Sequence, residues 1–400
     1  MTRRGRSILA LGLVVYVAAW AFGSKPLYPV ATGLLLVCAV AWGWVHLANG
    51  PFRAFRGSHG SEHVEGDDVQ ISFGAEPGGV VRPPVATLAE RVGRLGEHRH
   101  VLRRRGRRLT VTYVLEHVRR GRYEFSDSHL ELTDPFALQR VTVPLTAPGA
   151  LLVYPRITRL DRLFSEAGAH GVDGRRVLLY RPSGYDLHSV REYEEGESLR
   201  KVHWPSTARR GQLMVKELED APRDEIAVVL DADPTAVVGD SFDVQVRAAA
   251  SILDAYMRRG RRVVLVVNAE QRATQQVHSA SAGRRRALEL LAAVEPGGRT
   301  PLPAVLSDEG SAAARALELV VVTASVTAPL ADRLVQRAHA RRKVSLVYVE
   351  APTFAGAPAR PLPLLLRVQA AGIPVAVVRA GEDLAAALSG DVDEPAVAHA

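Results

Sequence analysis

Two uncharged apolar runs near the start of the chain set the first constraint on its fold. Residues 7–24 read SILALGLVVYVAAWAFGS and residues 30–48 read VATGLLLVCAVAWGWVHLA. A helix of about 20 apolar residues crosses the hydrocarbon core of a bilayer with every backbone group bonded internally. Each run is therefore predicted to span a membrane as a helix. Between them, Pro26 and Pro29 interrupt the pattern, because proline cannot donate the amide bond a helix needs. Trp20, Tyr28, Trp42 and Trp44 fall near the predicted ends, where amphipathic rings favour the interface. Arg3, Arg4 and Arg6 precede the first run, Arg53 and Arg56 follow the second, and the loop between holds only Lys25. Basic residues mark the cytoplasmic side. The expectation is a bacterial plasma (inner) membrane protein with both termini and its soluble body in the cytoplasm. The competing reading is a cleaved signal peptide ending near Ala19-Trp20-Ala21.

The remaining 350 residues have room for two domains or more. Cys38, inside the second apolar run, is the only cysteine, which excludes internal disulfides and thiolate zinc clusters. The net charge of +8 is carried almost wholly by arginine and permits an acidic partner. Phosphate loops of the G-x-x-x-x-G-K-[ST] type, H-E-x-x-H and G-x-S-x-G are all missing. No complete catalytic site is legible, so neither an enzyme nor a bound cofactor is expected.

Residues 51–155 read as a β-sandwich domain. Val69-Gln70-Ile71-Ser72-Phe73 alternates apolar and polar, as does the run 109–114, and shorter strand-like runs lie at 123–125, 130–132 and 151–154. Residues 91–122 carry at least ten arginines, among them Arg103, Arg104, Arg105, Arg107 and Arg108. Two readings stand: a solvated hairpin, or a face for anionic lipid, each arginine near such a surface contributing ~1 kcal/mol. Nucleic acid is not expected, since no recognition motif or interleaved aromatics accompany the arginines. His59, His63, His98 and His100 are expected in solvent-facing loops.

Residues 156–222 form a connecting segment rich in both charges, with six Arg or Lys against eight Asp or Glu over 184–220. Such balance suits internal pairing, with Arg191 and Arg200 meeting carboxylates and Trp204 burying its ring. Val190-Arg191, Tyr193, Gly196-Glu197, Arg200, Val202, His203-Trp204, Ala208-Arg209, Leu213, Val215 and Glu217 resemble the signature of the bacterial domain of unknown function 58 family. Upstream, Arg120-Gly121-Arg122-Tyr123, Asp134-Pro135-Phe136-Ala137-Leu138 and Val153-Tyr154-Pro155-Arg156 resemble its RG-x-Y, DPFGL and VYPR strings, in the family's order. Glu197 departs from the usual Asp, and Ala137 from Gly. The resemblance implies membrane anchoring, a C-terminal domain like the von Willebrand factor type A domain, and genetic association with a MoxR-type AAA+ ATPase and a transglutaminase-like membrane protein. His203 lies in the signature and is expected to bond a carboxylate rather than to catalyse.

Residues 223–390 alternate strand and helix, and 391–400 read as a tail. Strand-like runs at 226–230, 262–267, 319–322, 344–349 and 374–378 are apolar along their length apart from Arg262 and Ser345, as strands covered on both faces are. Helix-like runs at 243–259, 283–294, 328–341, 361–371 and 382–388 lie between them, which predicts a doubly wound parallel sheet. The first strand ends in Asp231-Ala232-Asp233-Pro234-Thr235. Complete type A domains place Asp-x-Ser-x-Ser there to hold Mg²⁺ through oxygen ligands. Asp231, Asp233 and Thr235 keep part of that set. The bland alternative is that both carboxylates bond loop backbone. The function expected is a membrane-anchored, non-catalytic adaptor that binds a protein, with a metal-assisted hydrolase at 231–235 and a lipid-binding module at 91–122 as rivals.

Overall fold

The computed structural model describes residues 1–58, 60, 62–79, 81–167, 187–192, 203–218, 225–277 and 281–390. The chain divides into two compact units, Met1–Arg156 and Ile157–Ala400.

The first unit opens with helices α1 (Arg3–Ala21) and α2 (Leu27–Leu47), both long and apolar enough to cross a membrane. Helix α1 starts four residues before the apolar run because Thr2 caps it: its hydroxyl accepts from Gly5 N at 3.0 Å. Helix α2 also starts earlier, at Leu27, since Pro29 falls in its first turn, where a missing amide proton costs nothing.

Among the described residues ten strands follow: β1 (Phe52–Ser58), β2 (His63–Val64), β3 (Val69–Pro77), β4 (Val85–Val92), β5 (Glu97–Val101), β6 (Arg103–Arg105), β7 (Arg108–Leu115), β8 (Gly121–Thr133), β9 (Arg140–Pro144) and β10 (Ala150–Tyr154). They make two sheets, β1-β3-β7-β6 and β2-β10-β8-β4-β5, with β9 paired to β8. One core joins them. Val69, Ile71 and Phe73 of β3 and Tyr113 and Leu115 of β7 share it with Leu88 of β4 and Leu130 and Leu132 of β8. Val45 and Ala48 from the end of α2 belong to the same core. The period-2 alternation of β3 sends alternate side chains inward. His63 is buried on β2, and His98 and His100 lie on β5, stacked on Tyr113 with ring centroids 6.2 and 4.2 Å away. The expectation of loop histidines thus fails for these three, because residues 97–101 pair with β4. His59 lies outside the described residues.

The second unit contains α3 (Phe164–Ala167), then β11 (Leu187–Glu192), α4 (Trp204–Arg210) and β12 (Met214–Leu218), the two strands pairing antiparallel. A six-stranded sheet follows, built from β13 (Glu225–Asp231), β14 (Arg262–Asn268), β15 (Ala273–Val277), β16 (Glu318–Thr323), β17 (Lys343–Val349) and β18 (Val375–Val378). Its order is β15-β14-β13-β16-β17-β18, a doubly wound arrangement that reverses direction between β13 and β16. All pairs are parallel except β14 with β15. The sheet is therefore mixed rather than wholly parallel. An edge strand pairs on one side only, so Ala273–Val277 tolerates Gln275 and Gln276 and lacks the apolar run that marks a central strand.

Helices α5 (Ser241–Arg258), α6 (Ser281–Ala293), α7 (Leu302–Ser307), α8 (Ala312–Arg315), α9 (Ala328–His339), α10 (Pro363–Ala370) and α11 (Leu384–Ser389) cover both faces. Ile226, Val228 and Leu230 pack on one side with residues of α5, α6 and α11. Ala227 and Val229 pack on the other with residues of α7, α8, α9 and α10. That is why the middles of the central strands are apolar on both faces.

Candidate functional site

In a doubly wound sheet, ligands bind beyond the carboxyl ends of the strands where the order reverses. Asp231 ends β13 at that point, and Thr323 ends β16 beside it. Both are buried. Asn268 Nδ2 donates to one oxygen of Asp231 at 3.0 Å, and the Thr323 hydroxyl donates to the other at 2.9 Å. Asn268 Nδ2 also donates to the Thr300 carbonyl at 2.9 Å. Burial pushes the Asp231 carboxyl above its usual range, opposed by the bonds from Asn268 and Thr323. Asn268 Oδ1 is buried and has no hydrogen-bond partner among the described residues.

Asp233 and Thr235 do something different. Asp233 Oδ1 accepts from the backbone N–H of Thr235 at 2.9 Å and from its hydroxyl at 2.7 Å, capping the short 3₁₀ turn Pro234–Ala236. Of the sequence-predicted trio, Asp231 alone brings its side chain into the buried crest network, and Asp233 reaches it through its backbone N–H. Asn268 and Thr323 complete it. Both end strands on either side of β13, and the polar residue closing each apolar run was the available signal.

The described parts of the signature segment are the antiparallel strand pair β11–β12 and helix α4. Arg191 pairs with Val215 across β11 and β12, and Ser189 with Glu217. His203 N donates to the Met214 carbonyl at 2.7 Å, and Met214 N to Thr207 Oγ1 at 3.0 Å, so α4 is tied back to β12. Among the described residues His203 Nδ1 bonds the Ser206 hydroxyl at 2.8 Å and no carboxylate. Trp204 is 64% exposed, which overturns the expectation that it buries its ring: it opens a two-turn helix whose buried contacts run through Met214. Ala208 and Arg209 are exposed as well. Tyr193, Gly196, Glu197 and Arg200 lie outside the described residues, as do the side chains of Arg191 and Glu217.

In the first unit, Arg103, Arg104, Arg105, Arg107 and Arg108 form the exposed β6–β7 turn. Arg108 pairs with Glu76 and lies 5.4 Å above the Phe55 ring, while Arg104 Nε donates to the Gly106 carbonyl at 2.9 Å. Register fixes which end of the sheet they occupy. Leu109 pairs with Ala75, Ala75 with Ala54, and Phe52 with Pro77. The turn therefore sits at the end where β1 leaves α2.

Arg56 corrects the reading of flanking charges. Its side chain is 6% exposed and pairs with Glu90, which is fully buried. It also donates to Ser128 Oγ at 3.1 Å and to the Ala147 carbonyl at 2.6 Å, with its guanidinium 4.0 Å from the Phe125 ring centroid. Tyr113 donates to the second Glu90 oxygen at 2.5 Å. The signal was present in β4: Ala86, Leu88, Glu90 and Val92 share one strand face, so Glu90 had to enter the core with a partner.

The architecture is thus an apolar helix pair, a two-sheet domain and a mixed doubly wound sheet. Residues 189–359 match the family model described as "Protein of unknown function DUF58". The chain is also 26% identical over 223 residues to the uncharacterized protein YeaD of Bacillus subtilis (strain 168), covering 55% of each chain, so the match spans about half the length of that relative. Among solved structures, the conserved hypothetical protein BatB from Bacteroides thetaiotaomicron aligns with 41% of this chain and 93% of its own, at 15% identity and a TM-score of 0.27, too low to carry an argument.

Proposed function

We propose that this chain is a membrane-anchored, non-catalytic scaffold that presents a type A-like α/β domain to a protein partner. In this reading α1 and α2 span the plasma membrane, the two sheets form a β-sandwich next to the bilayer, and both soluble domains lie in the cytoplasm. The observation that carries it is the crest of the doubly wound sheet. Both Asp231 oxygens accept bonds from neutral side chains of neighbouring strands, which supports a structural role for this carboxylate at the place where such sheets hold ligand. The sheet's strand order, with one antiparallel edge, also suits a type A-like domain. Trp204, exposed at the start of α4, has the chemistry of a docking anchor, since tryptophan is enriched among binding hot spots. A MoxR-type ATPase and a transglutaminase-like membrane protein are the partners the family resemblance offers. The test is a pull-down from membranes with the full chain as bait. A partner should be retained by the wild type and lost with Trp204→Ala. Equal retention by both would remove Trp204 from the account.

One buried atom favours a second reading, Mg²⁺ at the crest: beside Asp231, Asn268 Oδ1 has no partner among the described residues. Calorimetric titration with Mg²⁺ distinguishes the two, because saturable binding lost in Asp231→Ala would support metal chemistry. The register of the β6–β7 turn favours a third role, anionic-lipid contact alongside scaffolding. Flotation of residues 51–156 with acidic vesicles, and not with neutral ones, is the expected result.

A further inference from the structure

The segment Asp134-Pro135-Phe136-Ala137-Leu138-Gln139 is built to hold one apolar ring in the open. Asp134 clamps it from inside: one carboxylate oxygen accepts from Phe136 N at 3.0 Å and the other from Gln139 N at 2.6 Å. Ala137, at φ 57°, turns the chain through the left-handed region. The turn sends Leu138 inward, where it is 1% exposed, and leaves Phe136 69% exposed. Burying such a ring is favourable, so an ordered loop that holds it out forgoes that gain unless something else covers it.

Where the loop sits identifies the cover. Thr2 N donates to the Leu138 carbonyl at 3.0 Å, and the Thr2 hydroxyl to the Ala137 carbonyl at 2.6 Å. The approach is so close that a Cβ on Gly5 would lie 2.2 Å from the Leu138 oxygen. Leu138 packs with Ile8, Leu9, Cys38 and Ala41. Ala41 is two turns before the end of α2, about 9 Å along the axis, and Ile8 is five residues into α1, about 7 Å. The loop thus lies at the level where the arginines of α1 give way to its apolar residues. In a spanning helix that level is the boundary between headgroups and acyl chains.

We propose that residues 134–139 are a third membrane contact, with Phe136 entering the headgroup–acyl boundary beside the helix pair and Leu138 seating the loop against the helices. The partner is the lipid bilayer itself. Continuity argues for it: the loop is bonded to α1 and Leu138 packs on both helices, whose remaining apolar side chains, such as Leu11, Leu13 and Val14, are exposed. Trp44 Nε1 donates to the Arg82 carbonyl at 2.9 Å, so a second loop of the same domain is fastened to α2. The proposal rests on reading α1 and α2 as spanning helices, and the test separates the two claims.

Nitroxide labels are placed on the full chain in a Cys38→Ala background, at Phe136→Cys, at Val14→Cys in mid-helix and at Glu116→Cys. Glu116 is exposed and precedes β8, whose 13 residues carry the chain about 40 Å from the loop. The protein is reconstituted in phosphatidylethanolamine–phosphatidylglycerol vesicles, and spin relaxation by oxygen is compared with relaxation by a water-soluble nickel chelate. The expected result is an oxygen preference at 136 between those at 14 and 116, with Leu138→Ala shifting 136 toward the chelate. A label at 136 that matches 116, with 14 in lipid, overturns the loop contact and leaves the helices standing. A label at 14 open to the chelate overturns both.

Discussion

Replacing Glu90 by Gln changes one charge at the centre of the two-sheet domain and almost nothing in shape. In the native protein Arg56, from β1, meets Glu90, from β4, in a core that also holds Phe73 and Phe125. Removing one partner from a buried, hydrogen-bonded pair costs about 3–5 kcal/mol, because the remaining charge stays desolvated. Arg56 keeps the Ala147 carbonyl and the Phe125 ring, and the amide keeps an oxygen for Tyr113. The lower end of the range therefore applies, about 3 kcal/mol, or roughly two orders of magnitude in an opening equilibrium. Hydrogen exchange of the full chain in detergent micelles, followed by mass spectrometry, reads this directly. Amides of β3, β4 and β8 should lose about a hundredfold in protection, while those of β13, β14 and β16 keep theirs. A fall of less than tenfold in the first set would refute the reasoning, since Arg56 would then not depend on its counter-charge.

Three further outcomes follow from the same structure. Burial, then the bond to Glu90, holds the Tyr113 phenol well above its usual range. A raised folded value means that stability is complete below pH ~10 and falls above it by up to about 1.4 kcal/mol per pH unit. Tyr113→Phe should abolish that alkaline fall in unfolding curves measured across pH 9–11. Asp231 is also raised, chiefly by burial, so its contribution is complete below the unfolded value near pH ~4 and is lost as pH rises through the folded one. Asp231→Asn should therefore raise the melting temperature at pH 7 and lose that advantage in acid; a lower melting temperature at pH 7 would mean that the bonds from Asn268 and Thr323 to the carboxylate outweigh its burial. Ala137 occupies a left-handed position where the related motif has Gly, and Ala137→Gly should stabilise the first unit by up to about 1 kcal/mol, read from the same hydrogen-exchange profile.

The parts of this architecture that were legible in the sequence are those with long or periodic signals. The apolar helices announce themselves by 18 or more uncharged residues, and β3 and β13 by period 2 and by continuous Val, Ile and Leu. The helices α7 and α8 were missed because six and four residues are too few to show a 3.6-residue period. β15 was missed because an edge strand can be half polar. The Arg56–Glu90 pair was hidden by distance: 34 residues separate partners that only the packing of two sheets brings together. The crest was half legible. Asp231 was visible at the end of β13, but its partners Asn268 and Thr323 come from two other strands, and their convergence depends on the order β14-β13-β16. Trp204 misled because sequence ranks tryptophan as a core residue, whereas a two-turn helix tied down at Met214 leaves its first residue in the open.

The claim on which the functional account turns is that the helix pair anchors the chain and leaves its folded domains inside the cell. Protease added to intact spheroplasts measures it. The account predicts that residues beyond α2 survive until the membrane is opened by detergent. Cleavage of the two-sheet or α/β domain in sealed spheroplasts would contradict it.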